Sequence, residues 1–205
     1  MKTINRSAEP GCLAGQPQGQ DWYAFMGTQC HDDLRQNLRQ EQKGLCCYCE
    51  MEVEDGDGHI EHMEPRSRNQ ARTYDYSNLA ISCNGGHTEH CGHYKDNRSG
   101  HSWDATRFLP PHDPATVDLF DYLIDGSVQA TGKDPGKASY LIHYLGLDCS
   151  RLTDRRRAHA RNLIDTLGDQ PGQDLVDWLQ QEYLQTDANH RLKQFYSLSK
   201  QILEP

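Results

Sequence analysis

Apolar residues are scarce in this sequence. Only 35% of its 205 residues are hydrophobic, and the mean hydropathy is −0.89. No run approaches the ~18 apolar residues of a membrane-spanning helix, which excludes a protein anchored in that way. Residues 1–6 have no apolar stretch of the kind that marks a secretory signal. We therefore expect a cytoplasmic protein with no membrane partner, a lean core and a very polar surface.

Positive charge is also in short supply. The chain has 21 Lys and Arg against 30 Asp and Glu, which gives a net charge of −9. Residues 41–100 alone contain six basic and eleven acidic residues. A protein that holds phosphates by itself usually presents a basic face. The deficit therefore predicts weak binding of free nucleic acid, unless a local basic patch or a partner protein supplies the contact.

Cysteine, in contrast, is plentiful, with eight residues. In a cytoplasmic chain, so many cysteines favour metal binding over disulfides. Two of them form a C-x-x-C pair, which places two thiolates on one tight turn, and a second pair follows about 34 residues later. Four ligands of this kind predict a structural Zn²⁺ site. The predicted ligands are Cys46, Cys49, Cys83 and Cys91.

Two alternatives to this zinc site remain open. In one, the thiols are simply buried and their spacing arises by chance. In the other, a nearby histidine replaces one cysteine, and the candidates are His87, His90 and His93. The other four cysteines have no metal spacing, and we expect them to be small buried or half-exposed thiols. They are Cys12, Cys30, Cys47 and Cys149.

Changes in composition divide the chain into three segments. We expect an extended arm over residues 1–29, a metal-stabilised domain over 30–108, and a hairpin followed by helices over 109–205. The predicted fold class is α+β with a mainly helical C-terminal region. Apolar spacing predicts helices over 30–42, 135–145, 150–167, 173–185 and 188–203. Two turns are each expected to join a pair of short strands, at 55–58 and at 125–126.

The most informative stretch lies between the two cysteine pairs and contains an acid, a histidine and, three residues later, a proline. A neutral imidazole at His62 can take a proton from water at physiological pH. The carboxylate of Glu61 suits a hard cation such as Mg²⁺ or Mn²⁺. Adjacent strand residues point to opposite faces, so both side chains line one site only at a strand end or turn. The alternatives are a surface histidine and solvated acids.

Other polar residues fit the same chemistry. The amide of Asn78 is expected to brace the loop that carries the base, although it could instead cap a helix. Three basic residues are candidates to contact substrate phosphates, with solvated surface charges as the alternative. They are Arg66, Arg68 and Lys95.

These motifs resemble those of the HNH, or ββα-metal, nuclease superfamily, and more narrowly the HNH proteins encoded with retrons and with Septu-type anti-phage systems. The resemblance is carried by the C-x-x-C pair, by Ile60-Glu61-His62-x-x-Pro65, by Asn78-Leu79-x-x-Ser82-Cys83 and by His90-Cys91-Gly92-x-x-Lys95. Further matches lie at Ile4-x-Arg6-x-x-x-Glu9-Pro10 and in the C-terminal segment. The resemblance implies a zinc-stabilised HNH core and a metal-dependent endonuclease that cuts DNA or RNA.

The resemblance leaves the last ligand of the catalytic ion open. Common HNH domains have an Asn directly after the second cysteine of the second pair, where this chain has Gly92, which offers no side chain. The ion must then take His90 or His93, and we favour His93.

The resemblance also implies partners. They are an ABC/SMC-like ATPase, for which the nuclease would be the toxic effector, and, in the retron version, a reverse transcriptase with its RNA–DNA product. The C-terminal helices are the expected docking surface, with a basic face formed by Arg151, Arg155, Arg156, Arg157 and Arg161. The alternatives are a solvated face on that helix and, for the whole protein, a non-catalytic zinc-knuckle module that binds RNA or protein.

Overall fold

The computed structural model describes residues 1–16, 21–85, 89–97 and 102–204. These residues form an α+β fold, which confirms the predicted mixture of helices and small sheets. The helices are α1 (Trp22–Phe25), α2 (Gln29–Glu41), α3 (Cys91–Asn97), α4 (Pro135–Tyr144), α5 (Ser150–Leu167), α6 (Gln173–Leu184) and α7 (Tyr196–Leu203). The strands are β1 (His59–His62), β2 (Leu79–Ser82), β3 (Phe120–Tyr122) and β4 (Val128–Ala130). No helix among the described residues is both long and apolar enough to cross a membrane.

Helix α2 begins and ends close to the predicted bounds. The hydroxyl of Thr28 accepts a hydrogen bond from the backbone N–H of His31 and so caps the first turn. Leu34 and Leu38 lie one turn apart on the same face and are fully buried. Gly44 follows the helix with a φ of +77°, a left-handed conformation that glycine adopts at little cost. The helix predicted over 30–42 is confirmed.

Strands β1 and β2 form an antiparallel pair, with His59 opposite Ser82 and His62 opposite Leu79. Helix α3 follows β2 along the chain. The prediction that the turn at 55–58 joins two strands is wrong, because β1 pairs with β2 rather than with the residues before the turn. Those preceding residues contribute only an isolated bridge between Leu45 and Glu52.

The C-terminal segment contains the predicted hairpin, in which β3 pairs antiparallel with β4. The final helix is shorter than expected and begins at Tyr196 rather than at residue 188. The backbone N–H of Leu192 donates to the carbonyl of Lys43, and that of Phe195 donates to the carbonyl of Glu50. These bonds hold the segment as a loop against the first cysteine pair, and Phe195 adopts a left-handed conformation there.

One main hydrophobic cluster runs through all three predicted segments. It includes Ile4 and Leu13 from the expected arm, Leu79 from β2, and Leu152 and Leu198 from the C-terminal helices. The first residues therefore pack against the rest of the chain, and the segment boundaries at 29/30 and 108/109 stay predictions.

Two individual predictions about side chains fail. Arg156 does not belong to an exposed basic face: it is 1% exposed, and its guanidinium donates to the carbonyls of Leu147 and Gly126. Cys12 and Cys30 are not free thiols, because their sulfurs form a disulfide. The disulfide ties the first residues to α2. Cys47 and Cys149 are free thiols, buried and half-buried, as expected.

Candidate metal and catalytic site

Four buried cysteines converge at the junction of the C-x-x-C turn, the end of β2 and the start of α3. They are Cys46, Cys49, Cys83 and Cys91, and their ligand atoms all lie within 4.8 Å of one another. The sulfurs of Cys46 and Cys91 are 3.8 Å apart and those of Cys49 and Cys83 are 3.6 Å apart. A tetrahedron with Zn–S bonds of about 2.3 Å has an S–S edge of ~3.8 Å. The cluster is therefore compatible with zinc binding.

The surroundings of the cluster favour thiolate at Cys46, whereas burial raises the pKa of Cys49 and of Cys91 well above the ordinary value. The backbone N–H of Cys83 donates to the sulfur of Cys46. Burial alone would raise the pKa of Cys46, but hydrogen bonds from neighbouring thiols hold this pKa well below its ordinary value. Cys47 is buried nearby but is not one of the four converging residues.

The histidines proposed as replacements for a cysteine lie in different places. His90 is buried, with its Nδ1 3.1 Å from the sulfur of Cys91 and 3.9 Å from that of Cys83. It therefore lies beside the cysteine cluster, and the structure does not bring it to the carboxylate of Glu61. His87 lies outside the described residues, and His93 is on α3.

The imidazole of His62 is 7% exposed and is held at two points. Its Nε2 lies 3.0 Å from the carbonyl oxygen of Thr73, and its ring packs edge-on against that of Trp22, with ring centroids 4.4 Å apart. A carbonyl can only accept, so the proton lies on Nε2 and Nδ1 keeps its lone pair. Burial, aided by the charge of Arg66, lowers the pKa of His62 to about 4. The ring is therefore neutral at physiological pH.

Glu61 points to the opposite face of β1 from His62, which is the last residue of the strand, as the two-residue period of a strand requires. That the two side chains line one site stays a prediction. Oε1 of Glu61 lies 3.1 Å from the ammonium of Lys95 and accepts a hydrogen bond of 3.0 Å from the hydroxyl of Tyr48. Its Oε2 lies 3.3 Å from Nε2 of His59. Burial would raise the pKa of Glu61, but Lys95 and His59 outweigh it and lower the pKa to about 2. The carboxylate is therefore ionised.

Asn78 connects the two strands to the loop that follows His62. Its Oδ1 accepts a hydrogen bond from the backbone N–H of Glu64 at 2.7 Å. Its amide donates to the carbonyls of Glu64 and Arg72 at 3.1 and 3.2 Å. The side chain is 1% exposed and fixes the backbone directly after the β1 strand. Asn78 thus makes the contacts that a brace for this loop requires.

A polar cleft of about 590 Å³ is lined by Trp22 and Thr73, the two residues that contact the ring of His62, and by Arg66, Arg68 and Lys95. Arg68 is exposed, whereas Arg66 is half-buried with its guanidinium 5.6 Å from the ring of Trp22. The ammonium of Lys95 is fully buried and is held by Glu61, by Asp96 and by the carbonyl of His62. Lys95 therefore connects the two faces of β1, and its role as a phosphate contact stays a prediction.

One residue that the sequence reasoning missed, His59, lies beside Glu61 together with Gly92, which the sequence analysis had singled out. His59 shares the face of Glu61, and its ring stacks on that of His93 with centroids 4.1 Å apart. Burial lowers the pKa of His59, but the hydrogen bond and charge of Glu61 more than compensate and raise it. Gly92 lies directly opposite, where a Cβ would come within 2.3 Å of Oε2 of Glu61. The signal was present in the sequence, since residues i and i+2 of a strand share a face.

Sequence comparison shows what the chain is similar to. The chain is 29% identical over 140 residues to a protein of Vibrio cholerae serotype O1 biovar El Tor named "Retron Vc95 putative HNH endonuclease". The match covers 64% of this chain and 65% of that protein's length. No protein-family model matches the chain. The similarity supports a nuclease function.

Proposed function

We propose that this chain is a metal-dependent HNH endonuclease that hydrolyses phosphodiester bonds of DNA or RNA. The observation that carries the proposal is His62, a buried and neutral imidazole whose Nε2 is tied to a backbone carbonyl. That hydrogen bond leaves Nδ1 as the proton acceptor, and the two residues that contact the ring, Trp22 and Thr73, line a cleft that also carries Arg66 and Arg68. The order of β1, β2 and α3, with the cysteine cluster at their junction, supports an HNH core.

In the proposed reaction, Nδ1 of His62 takes a proton from water as its oxygen attacks phosphorus. The new P–O bond forms as the bond to the 3′ oxygen breaks, and the leaving oxygen takes a proton from a solvent water, so the products carry a 5′ phosphate and a 3′ hydroxyl. Thr73 keeps the imidazole in the required tautomer, and Asn78 keeps the following loop in place. Arg66 and Arg68 orient the phosphate from the cleft.

Two kinds of metal ion belong to the proposal. The four-cysteine cluster fits zinc by its S–S distances and burial, and zinc there would hold β2 and α3 together. Glu61 offers an ionised carboxylate next to Gly92, and its Oε2 together with Nε2 of His59 fills the space that a side chain at residue 92 would need. Mg²⁺ or Mn²⁺ held by this carboxylate would neutralise charge on the leaving oxygen.

We also propose that the chain is the toxic effector of a cytoplasmic anti-phage complex with an ABC/SMC-like ATPase, in a retron or a Septu-type system. In the retron case, a reverse transcriptase with its RNA–DNA product would join the complex. The net charge of −9 supports this part, because the chain itself offers little general attraction for nucleic acid. On α5, Arg151, Arg155, Arg157 and Arg161 are exposed and available to such a partner.

The test is cleavage by the purified chain, alone and with its ATPase partner. Plasmid DNA and total RNA are incubated with Mg²⁺ or Mn²⁺ and, as a control, with excess EDTA added immediately before the substrate. We expect cleavage that requires the divalent ion and gives ligatable 5′-phosphate ends. Zinc-loaded protein that binds RNA or the partner but never cuts would favour the alternative, a non-catalytic zinc-knuckle module.

A further inference from the structure

A pair of ligand atoms on one face of β1 lies next to the position that lacks a side chain. Nε2 of His59 and Oε2 of Glu61 are 3.3 Å apart. Adjacent ligands of an octahedral Mg²⁺ with bonds of 2.0–2.1 Å are separated by about 2.9 Å. The two atoms are therefore within a few tenths of an ångström of the spacing that one ion requires.

Gly92 provides the space for this pair. A Cβ at residue 92 would come within 2.3 Å of Oε2 of Glu61 and 2.6 Å of Nε2 of His59. Contacts this short do not occur, so with any other residue at this position the side chains of Glu61 and His59 would have to move from where they lie. The imidazole of His59 thus fills the volume that a side chain from α3 would otherwise occupy.

The net charge around Glu61 and His59 is compatible with a bound dication. With His59 neutral, as a metal ligand must be, the carboxylates of Glu61 and Asp96 contribute two negative charges and the ammonium of Lys95 one positive charge, which gives −1. Lys95 contacts Oε1 of Glu61, whereas His59 contacts Oε2, so the ammonium does not block the oxygen next to Gly92. The stacked ring of His93 holds the plane of His59 in place.

We infer that His59 supplies the imidazole ligand of the catalytic divalent ion, in place of a side chain at residue 92, and that His93 positions His59 by stacking. This inference rests on the proposed function. Among the described residues, the four cysteines are the group of three or more ligands close enough to share an ion. His59 and Glu61 therefore form a two-residue site, which water and phosphate oxygens complete, as is usual for Mg²⁺.

The experiment measures Mn²⁺ binding to the zinc-loaded full chain, by electron paramagnetic resonance of free Mn²⁺ and without substrate. We expect one site in the wild type, at least a tenfold weaker affinity in His59→Ala, and a similar loss in Gly92→Ala, which removes no ligand. His62→Asn is the control and should bind Mn²⁺ like the wild type. Zinc content and thermal melting confirm that each variant is folded.

Several results would overturn the inference. Wild-type affinity in His59→Ala together with a loss in Glu61→Gln would leave the nuclease proposal intact and exclude His59 as a ligand. Absence of any Mn²⁺ site in the wild type would contradict the metal-dependent function as well. A second readout needs no disruptive variant: in the wild type, Mn²⁺ should broaden the ring NMR signals of His59, and sharp signals at full Mn²⁺ occupancy would refute the contact.

Discussion

Replacement of Asn78 by alanine tests whether this side chain acts on cleavage by holding the loop after β1 in place. The side chain makes three hydrogen bonds to the backbone of the loop after β1 and is 1% exposed. A buried hydrogen bond contributes ~1 kcal/mol to stability, and a buried donor or acceptor left without its hydrogen bond lowers stability by ~1–3 kcal/mol. We therefore expect Asn78→Ala to lower the free energy of unfolding by about 3 kcal/mol.

The matched control is Asn37→Ala. Asn37 also makes three hydrogen bonds, to Ser7, Ala8 and Tyr76, but it is half-buried and lies on α2, away from the loop after His62. We expect a smaller loss of stability and no change in cleavage.

Urea unfolding gives the two stabilities, and cleavage is compared at a temperature where both variants are fully folded. Asn78→Ala should then cut at least tenfold more slowly than Asn37→Ala, because the backbone next to His62 is no longer fixed. Equal cleavage rates in the two folded variants would refute the bracing role, and an unchanged free energy of unfolding in Asn78→Ala would refute the hydrogen-bond accounting.

Three further predictions use simpler assays. The pKa of His62 is about 4 in the fold and 6.5 when unperturbed, so the unfolded state binds more protons between these values. Between pH 7.5 and 5, the free energy of unfolding should therefore fall by about 2 kcal/mol more in the wild type than in His62→Asn. An equal fall in the two proteins, measured by urea unfolding, would contradict this. Zinc binding at a structural site contributes ~10–16 kcal/mol, which is as large as the whole free energy of unfolding of a typical domain, ~5–15 kcal/mol. The cooperative thermal transition should therefore disappear when zinc is removed by chelation. Its survival in metal-free protein would show that the cysteine cluster is not structural. Thiol titration of denatured, zinc-free protein should find six thiols before reduction and eight after, because Cys12 and Cys30 form a disulfide; eight before reduction would exclude it.

Local patterns in the sequence were sufficient for the elements that depend on near neighbours. Helix α2 follows from the spacing of Leu34 and Leu38 and from the cap at Thr28. The β3–β4 hairpin follows from a turn at 125–126 between two short apolar runs. The four-cysteine cluster was predictable because a C-x-x-C turn constrains two ligands at once and metal chemistry demands a second pair.

Long-range contacts account for the failures. The partner of β1 is 20 residues away, and nothing near the turn at 55–58 indicates that β2 will take its place. The apolar residues Leu192 and Phe195 have helical spacing, but their backbone bonds to Lys43 and Glu50 hold them in a loop. Such contacts depend on the assembled fold and leave no local trace.

In two cases the signal was present. Arg156 lies one turn from Leu152 and from Ala160, so the buried stripe of α5 passes through it. His59 lies two residues from Glu61 on a strand and must share its face. Helical and strand periodicity applied to charged residues, as well as to apolar ones, would have identified both.

The measurement that tests the central claim most directly is the single-turnover cleavage rate of His62→Asn beside that of the wild type and of His190→Asn. His190 is an exposed histidine in the loop before α7, and asparagine tolerates its left-handed backbone. Loss of a general base lowers a rate by about 10²–10⁴-fold. We predict a loss of that size in His62→Asn alone, with zinc content equal in all three proteins. Cleavage by zinc-loaded His62→Asn at the wild-type rate would contradict the assignment of His62 as the base.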